Sequence, residues 1–75
     1  MNAKEFIQAL EEGEKLINRT RNLKADSGFG YVLIIHGSDM YLQFDRMEEE
    51  YEFGVKLFNE GIYIGTVETD NWVIA

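Results

Sequence analysis

An α+β fold, with an N-terminal helix followed by a four- or five-stranded antiparallel sheet in a single small domain, is predicted by three observations. A helical apolar repeat is confined to residues 3–12. Every later apolar run either alternates with period two or is a short β-branched block. Gly, Asn and Asp separate those runs at hairpin spacing. With 75 residues there is room for one core spanning 1–75 and no second unit.

Asn2 followed by Glu5 has the form of a capping box, and Ala3, Phe6, Ile7 and Leu10 fall on one stripe. The spacing predicts a helix over 3–12, with Gly13 as the left-handed residue that stops it. A competing reading carries the helix on through Leu16 and Ile17 to about Arg19, at about 1 kcal/mol for an internal Gly. Thr20 to Gly30 has no period and contains Asn22, Asp26, Ser27, Gly28 and Gly30, so a loop is expected. Tyr31 to His36 is apolar on both faces, as a central covered strand would be, and Gly37-Ser38-Asp39 turns it. Met40, Leu42 and Phe44 then alternate with Tyr41, Gln43 and Asp45, completing a first hairpin with one face buried. After an acidic turn, Tyr51, Phe53, Val55 and Leu57 predict another half-buried strand. Asn59-Glu60-Gly61 predicts a three-residue bulged connection, and Ile62 to Glu68 a fourth strand. Thr69-Asp70-Asn71 turns the chain into a short last strand, Trp72-Val73-Ile74.

Composition excludes several classes of function. Without Cys there is neither a disulfide framework nor a thiolate metal site, and His36 alone supports no recognised catalytic spacing. A turn histidine is the simpler reading of His36. Pairs such as Glu48 with Glu52 lack the contrasting environments of a two-carboxylate hydrolase, and Gly28-Phe29-Gly30 lacks the third Gly of a phosphate loop. No enzyme, no cofactor and no metal are expected. The longest apolar run is Tyr31 to Ile35, far short of the roughly 20 residues that span a bilayer, and the start Met1-Asn2-Ala3-Lys4-Glu5 lacks the order of a signal peptide. A cytoplasmic protein away from membranes is therefore expected.

Charge is more informative. The net charge of −7 disfavours direct DNA binding, but its distribution is uneven. Lys15, Arg19, Arg21 and Lys24 lie in ten residues without an acid, whereas Asp45, Glu48, Glu49, Glu50 and Glu52 surround Arg46 alone. The acidic stretch could present a DNA-like surface to a basic groove on a protein, and the basic stretch could grip a phosphate. Either could also be a solvated surface. Ten aromatics exceed what one face of a small sheet needs, and a chain this small has no disulfide to staple it, so a homodimer or larger homo-oligomer is expected.

Ile7-Gln8-Ala9-Leu10-Glu11-Glu12-Gly13-Glu14-Lys15-Leu16 resembles the opening helix, glycine and first strand of a small phage-encoded family. That family includes the second Thoeris anti-defence protein, a nucleotide sponge, and an anti-CRISPR relative. Thr69-Asp70-Asn71-Trp72-Val73-Ile74 is similar to its closing strand, and Arg19-Thr20-Arg21-Asn22-Leu23 stands where the family usually has Arg and then Trp-Asn. The resemblance implies a non-enzymatic phage or mobile-element counter-defence protein. In the sponge form it sequesters a cyclic nucleotide or ADP-ribose-type signal, with Arg19, Arg21, Asn22 and Lys24 on phosphate or ribose and Tyr31 or Trp72 against the base. The charge run, and not the resemblance, carries the alternative of an inhibitor, in which Asp45, Glu48, Glu49, Glu50 and Glu52 face a nucleic-acid-handling host protein. A scaffold subunit would use only the aromatic face.

Overall fold

A computed structural model describes residues 1–28 and 30–75. Phe29, counted above among the aromatics and in the Gly28–Gly30 pair, lies outside the described residues. Helix α1 runs Ala3–Glu11. The Asn2 side chain accepts from the Glu5 amide at 2.8 Å, and the Glu5 carboxylate accepts from the Asn2 amide at 2.9 Å, so the capping box is complete. Glu12 caps the other end and Gly13 follows at φ 84, as its position implied. The reading that extends the helix to Arg19 is excluded, because Leu16–Asn18 is strand β1.

The stretch 20–30 is not one loop, for Leu23–Asp26 is strand β2. Leu23 and Ala25 face inward while Lys24 and Asp26 alternate with them, a period too short and too polar to stand out in the sequence. Strand β3, Tyr31–Ile35, ends before His36 and hairpins with β4, Tyr41–Phe44, as expected. The antiparallel order β4-β3-β2-β1-β8 places β3 next to the edge instead of at the centre; β8 is Val73–Ile74 and closes onto β1. Because β4 is the edge, only its Phe44 is buried, and Met40 and Leu42 do not form the expected core stripe.

Residues 46–51 are likewise not a turn. At Asp45 the chain bends out of the first sheet into β5, Arg46–Tyr51, which pairs with β6, Gly54–Asn59, and β6 with β7, Ile62–Glu68. A run of glutamates has poor strand propensity, but at an exposed edge the side chains stay in water while the backbone pairs. Tyr51 pairs with Gly54 across a two-residue turn, so the strand expected from Tyr51 starts at Gly54 instead. Glu60 and Gly61 form another two-residue loop, not a three-residue one, with φ of 53 and 80 as a type I′ turn requires.

The two sheets and α1 share one core. Phe6 and Leu10 come from the helix, Leu16, Ala25 and Phe44 from the first sheet, and Val55, Leu57 and Val67 from the second. Trp72, between β7 and β8, meets Phe6 edge-on at 5.3 Å between ring centres, and its indole N–H donates to the Glu68 carbonyl at 2.9 Å.

Candidate functional site

Pairing in the three-stranded sheet arranges its outer face in three rows. Arg46 lies beside Phe58, which stands near Tyr63; Glu48 lies beside Lys56 and Thr66; Tyr51 lies beside Gly54 and Glu68. An irregularity between Glu49 and Tyr51 swings Glu50 onto the same face, where it accepts from the Thr66 hydroxyl at 2.7 Å. The Thr66 oxygen lies 2.7 Å from the Tyr63 hydroxyl, so a phenol, a hydroxyl and a carboxylate form one chain. The Arg46 guanidinium sits 3.9 Å above the Phe58 ring and pairs with Glu48. Tyr51 lies flat over Gly54, where a Cβ would stand 2.2 Å from the ring, so glycine is what lets the phenol settle there.

Tyr51 senses the potential of this face. Partial desolvation, then the Glu68, Glu50 and Asp70 carboxylates, raise its pKa above the ordinary 10.0, with Arg21 opposing them. The folded protein therefore holds this phenol neutral to higher pH than the unfolded chain does. The contribution to stability is present below pH 10.0 and is lost as pH rises through the raised pKa. An absorbance titration of the protein minus that of Tyr51→Phe should show the missing phenol ionising above 10.0, and Glu68→Gln should bring it back toward that value. A difference curve centred at or below 10.0 would contradict this reading of the face.

The acids expected to act together are only partly gathered. Glu48 and Glu50 share the outer face. Glu49 is in register with buried Val55 and belongs to the other face. The Asp45 carboxylate accepts from the Glu60 amide at 3.0 Å, and Glu52 sits in a turn whose carbonyl accepts from the Ala3 amide at 2.7 Å. Glu68 and Asp70, outside the acidic run, join the face through their pairing with Arg21. Period two counted from Tyr63 selects Gly65 and the buried Val67; the irregularity beside Gly65 moves the outward phase to Thr66 and Glu68, which alternation alone could not show.

The proposed phosphate-binding set is dispersed. Arg21 pairs with Glu68 at 3.2 Å and with Asp70 at 2.9 Å, and also donates to both backbone carbonyls. It is thus neutralised by acids of β7 and the following turn. Lys24 lies between Ile17 and Ile34 on the outer face of the first sheet, opposite to Leu23 and Ala25. Tyr31 stacks on Phe44 at 5.4 Å, beside the core. Trp72 is buried in the core and offers no face to a base, a correction to its expected role. Arg19 and Asn22 alone stay together, lining a hollow of about 220 Å³ with His36.

Among the described residues no three His, Asp or Glu side chains converge to hold a metal ion. No helix among them is long and apolar enough to cross a membrane. Comparison with known protein families, with curated proteins and with solved structures found no match to this chain.

Proposed function

We propose that this chain is a non-enzymatic binding protein, of the phage or mobile-element counter-defence type, that inhibits a nucleic-acid-handling host protein. It would do so by docking the outer face of its three-stranded sheet onto a basic surface. One observation carries the reading: Tyr51 and Tyr63 stand 50% and 54% exposed among Glu48, Glu50 and Glu68, with Glu50 held in place by Thr66. Exposed tyrosines give large contact area at low entropic cost and are enriched in interfaces, and carboxylates held beforehand in fixed positions lose little freedom on meeting Lys or Arg. Glu50, held by a hydroxyl and not by a cation, supplies the sign, while Glu48 and Glu68, paired with Arg46 and Arg21, would exchange those partners for cations of the host protein.

A second reading, the nucleotide sponge, is favoured by Arg19, Asn22 and His36 around their shared hollow. Native mass spectrometry of what the protein captures from host lysate separates the two. The first reading expects a basic protein, lost by about a hundredfold or more in Glu48→Lys/Glu50→Lys, since opposed like charges cost several kcal/mol, and retained by Arg19→Glu. A captured nucleotide lost in Arg19→Glu but kept in the double variant would establish the sponge instead. Capture of nothing would end both.

A further inference from the structure

From the free edge of the first sheet we infer that β4 pairs with β4 of a second copy of this chain, joining two five-stranded sheets across a two-fold axis. This goes beyond the proposed function and uses a different surface.

The edge has its donors and acceptors ready. The Ile35 amide donates to the Met40 carbonyl at 3.3 Å, and antiparallel alternation then turns Met40, Leu42 and Phe44 toward β3. The amides and carbonyls of Tyr41 and Gln43 consequently point away from the sheet, with no strand beyond them among the described residues. Met40, Tyr41 and Leu42 are 66%, 67% and 38% exposed. An uncharged, apolar edge of this kind is what natural sheets normally blunt or cover.

Shape argues for an added strand. Apolar hollows of about 290 and 280 Å³ flank the edge, one against Val32 and Ile34 on the outer face, the other against Leu23, Leu33 and Ile35 on the inner face. Met40 and Tyr41 border both hollows. Alternate side chains of an incoming strand point to opposite faces, so one strand would fill both.

A second copy fits because this edge carries the projecting groups as well as the hollows. Pairing about Leu42 sets Leu42 against its own counterpart, Tyr41 against Gln43 and Met40 against Phe44. Four backbone hydrogen bonds are exchanged, and no charge lies within Met40–Phe44. Ile62–Val67 of the β7 edge and Val73–Ile74 of β8 are uncharged too, so β4 is distinguished from them by its regular pairing and its length. The β5 edge would oppose Glu48, Glu49 and Glu50 with themselves, β7 is interrupted by an irregularity, and β8 has two residues.

Sedimentation equilibrium of the full chain tests this. The expected result is a concentration-dependent rise from 8.7 kDa to twice that mass. Tyr41→Lys, which adds a charge at an exposed position, and Gln43→Pro, which deletes only an outward amide, should each weaken association at least about tenfold. Both should keep the far-UV dichroism of the folded chain, and Tyr41→Lys alone decides the matter if Gln43→Pro does not fold. Glu48→Lys/Glu50→Lys should associate as the unaltered chain does, which separates this edge from the face proposed to bind the host protein. A mass of 8.7 kDa at millimolar concentration, a dimer indifferent to Tyr41→Lys, or a dimer lost with the glutamates would each overturn the inference.

Discussion

Trp72→Ala is expected to remove about 3–5 kcal/mol of stability, the largest loss of any single substitution considered for this chain. The indole is buried where α1, β7 and β8 meet, edge-on to Phe6, and its N–H satisfies the Glu68 carbonyl. Truncating a buried Trp costs about 3–5 kcal/mol in lost transfer energy and cavity. At roughly 0.05–0.15 kcal/mol per residue, a chain of 75 residues has a total stability of about 4–11 kcal/mol, so the loss is a large part of the whole. Trp72→Phe keeps a ring against Phe6 and removes the indole donor, and should cost less, about 1–3 kcal/mol. Urea titrations followed by far-UV dichroism measure both. A midpoint for Trp72→Ala close to that of the unaltered chain would show that the helix and sheets are held together elsewhere.

The second large effect is expected at Asn18, a fully buried amide that ties two distant turns together. Its Oδ1 accepts from the Arg21 amide at 3.0 Å and its Nδ2 donates to the Asp70 carbonyl at 3.2 Å. Asn18→Leu keeps the volume but leaves the Arg21 amide without its partner and the Asp70 carbonyl with the Arg21 guanidinium alone. One such orphan costs about 1–3 kcal/mol, so a loss of that order is expected. Asn18→Asp keeps the acceptor for Arg21, loses the donor to Asp70, and places a carboxylate against a carbonyl. Hydrogen exchange distinguishes the two: the Arg21 amide should exchange much faster in Asn18→Leu and stay protected in Asn18→Asp relative to the loss of global stability. Unchanged protection in Asn18→Leu would mean that the turn holds itself.

That tie also explains why the candidate site was only half legible. Arg21 was singled out because it lies in an acid-free stretch, but Asn18 folds that stretch back against the 69–71 turn, where Glu68 and Asp70 claim the guanidinium. The acids within reach of an Arg are those the tertiary path brings near, and sequence distance is silent about them: Arg21 and Glu68 are 47 positions apart. Glu48 and Glu50 were found by local charge density, which works when a charge run stays at the surface. Their neighbours Tyr51, Tyr63 and Thr66 depend on strand register, and the irregularity after Glu49 shifts that register by one residue.

Local chemistry sufficed wherever a residue's role is settled by its neighbours along the chain. The Asn2–Glu5 box, the stop at Gly13, the β3–β4 hairpin and the bounds of Ile62–Glu68 were all readable, because capping, glycine dihedrals and short alternation act over a few residues. Composition likewise set the charge and removed thiol chemistry. The tertiary structure alone decided that Leu23–Asp26 and Arg46–Tyr51 are strands, that β8 closes onto β1, and that Trp72 is core. Pairing and burial between distant segments stabilise these choices, and no short window of sequence contains both partners of a pair such as Ile17 and Val73.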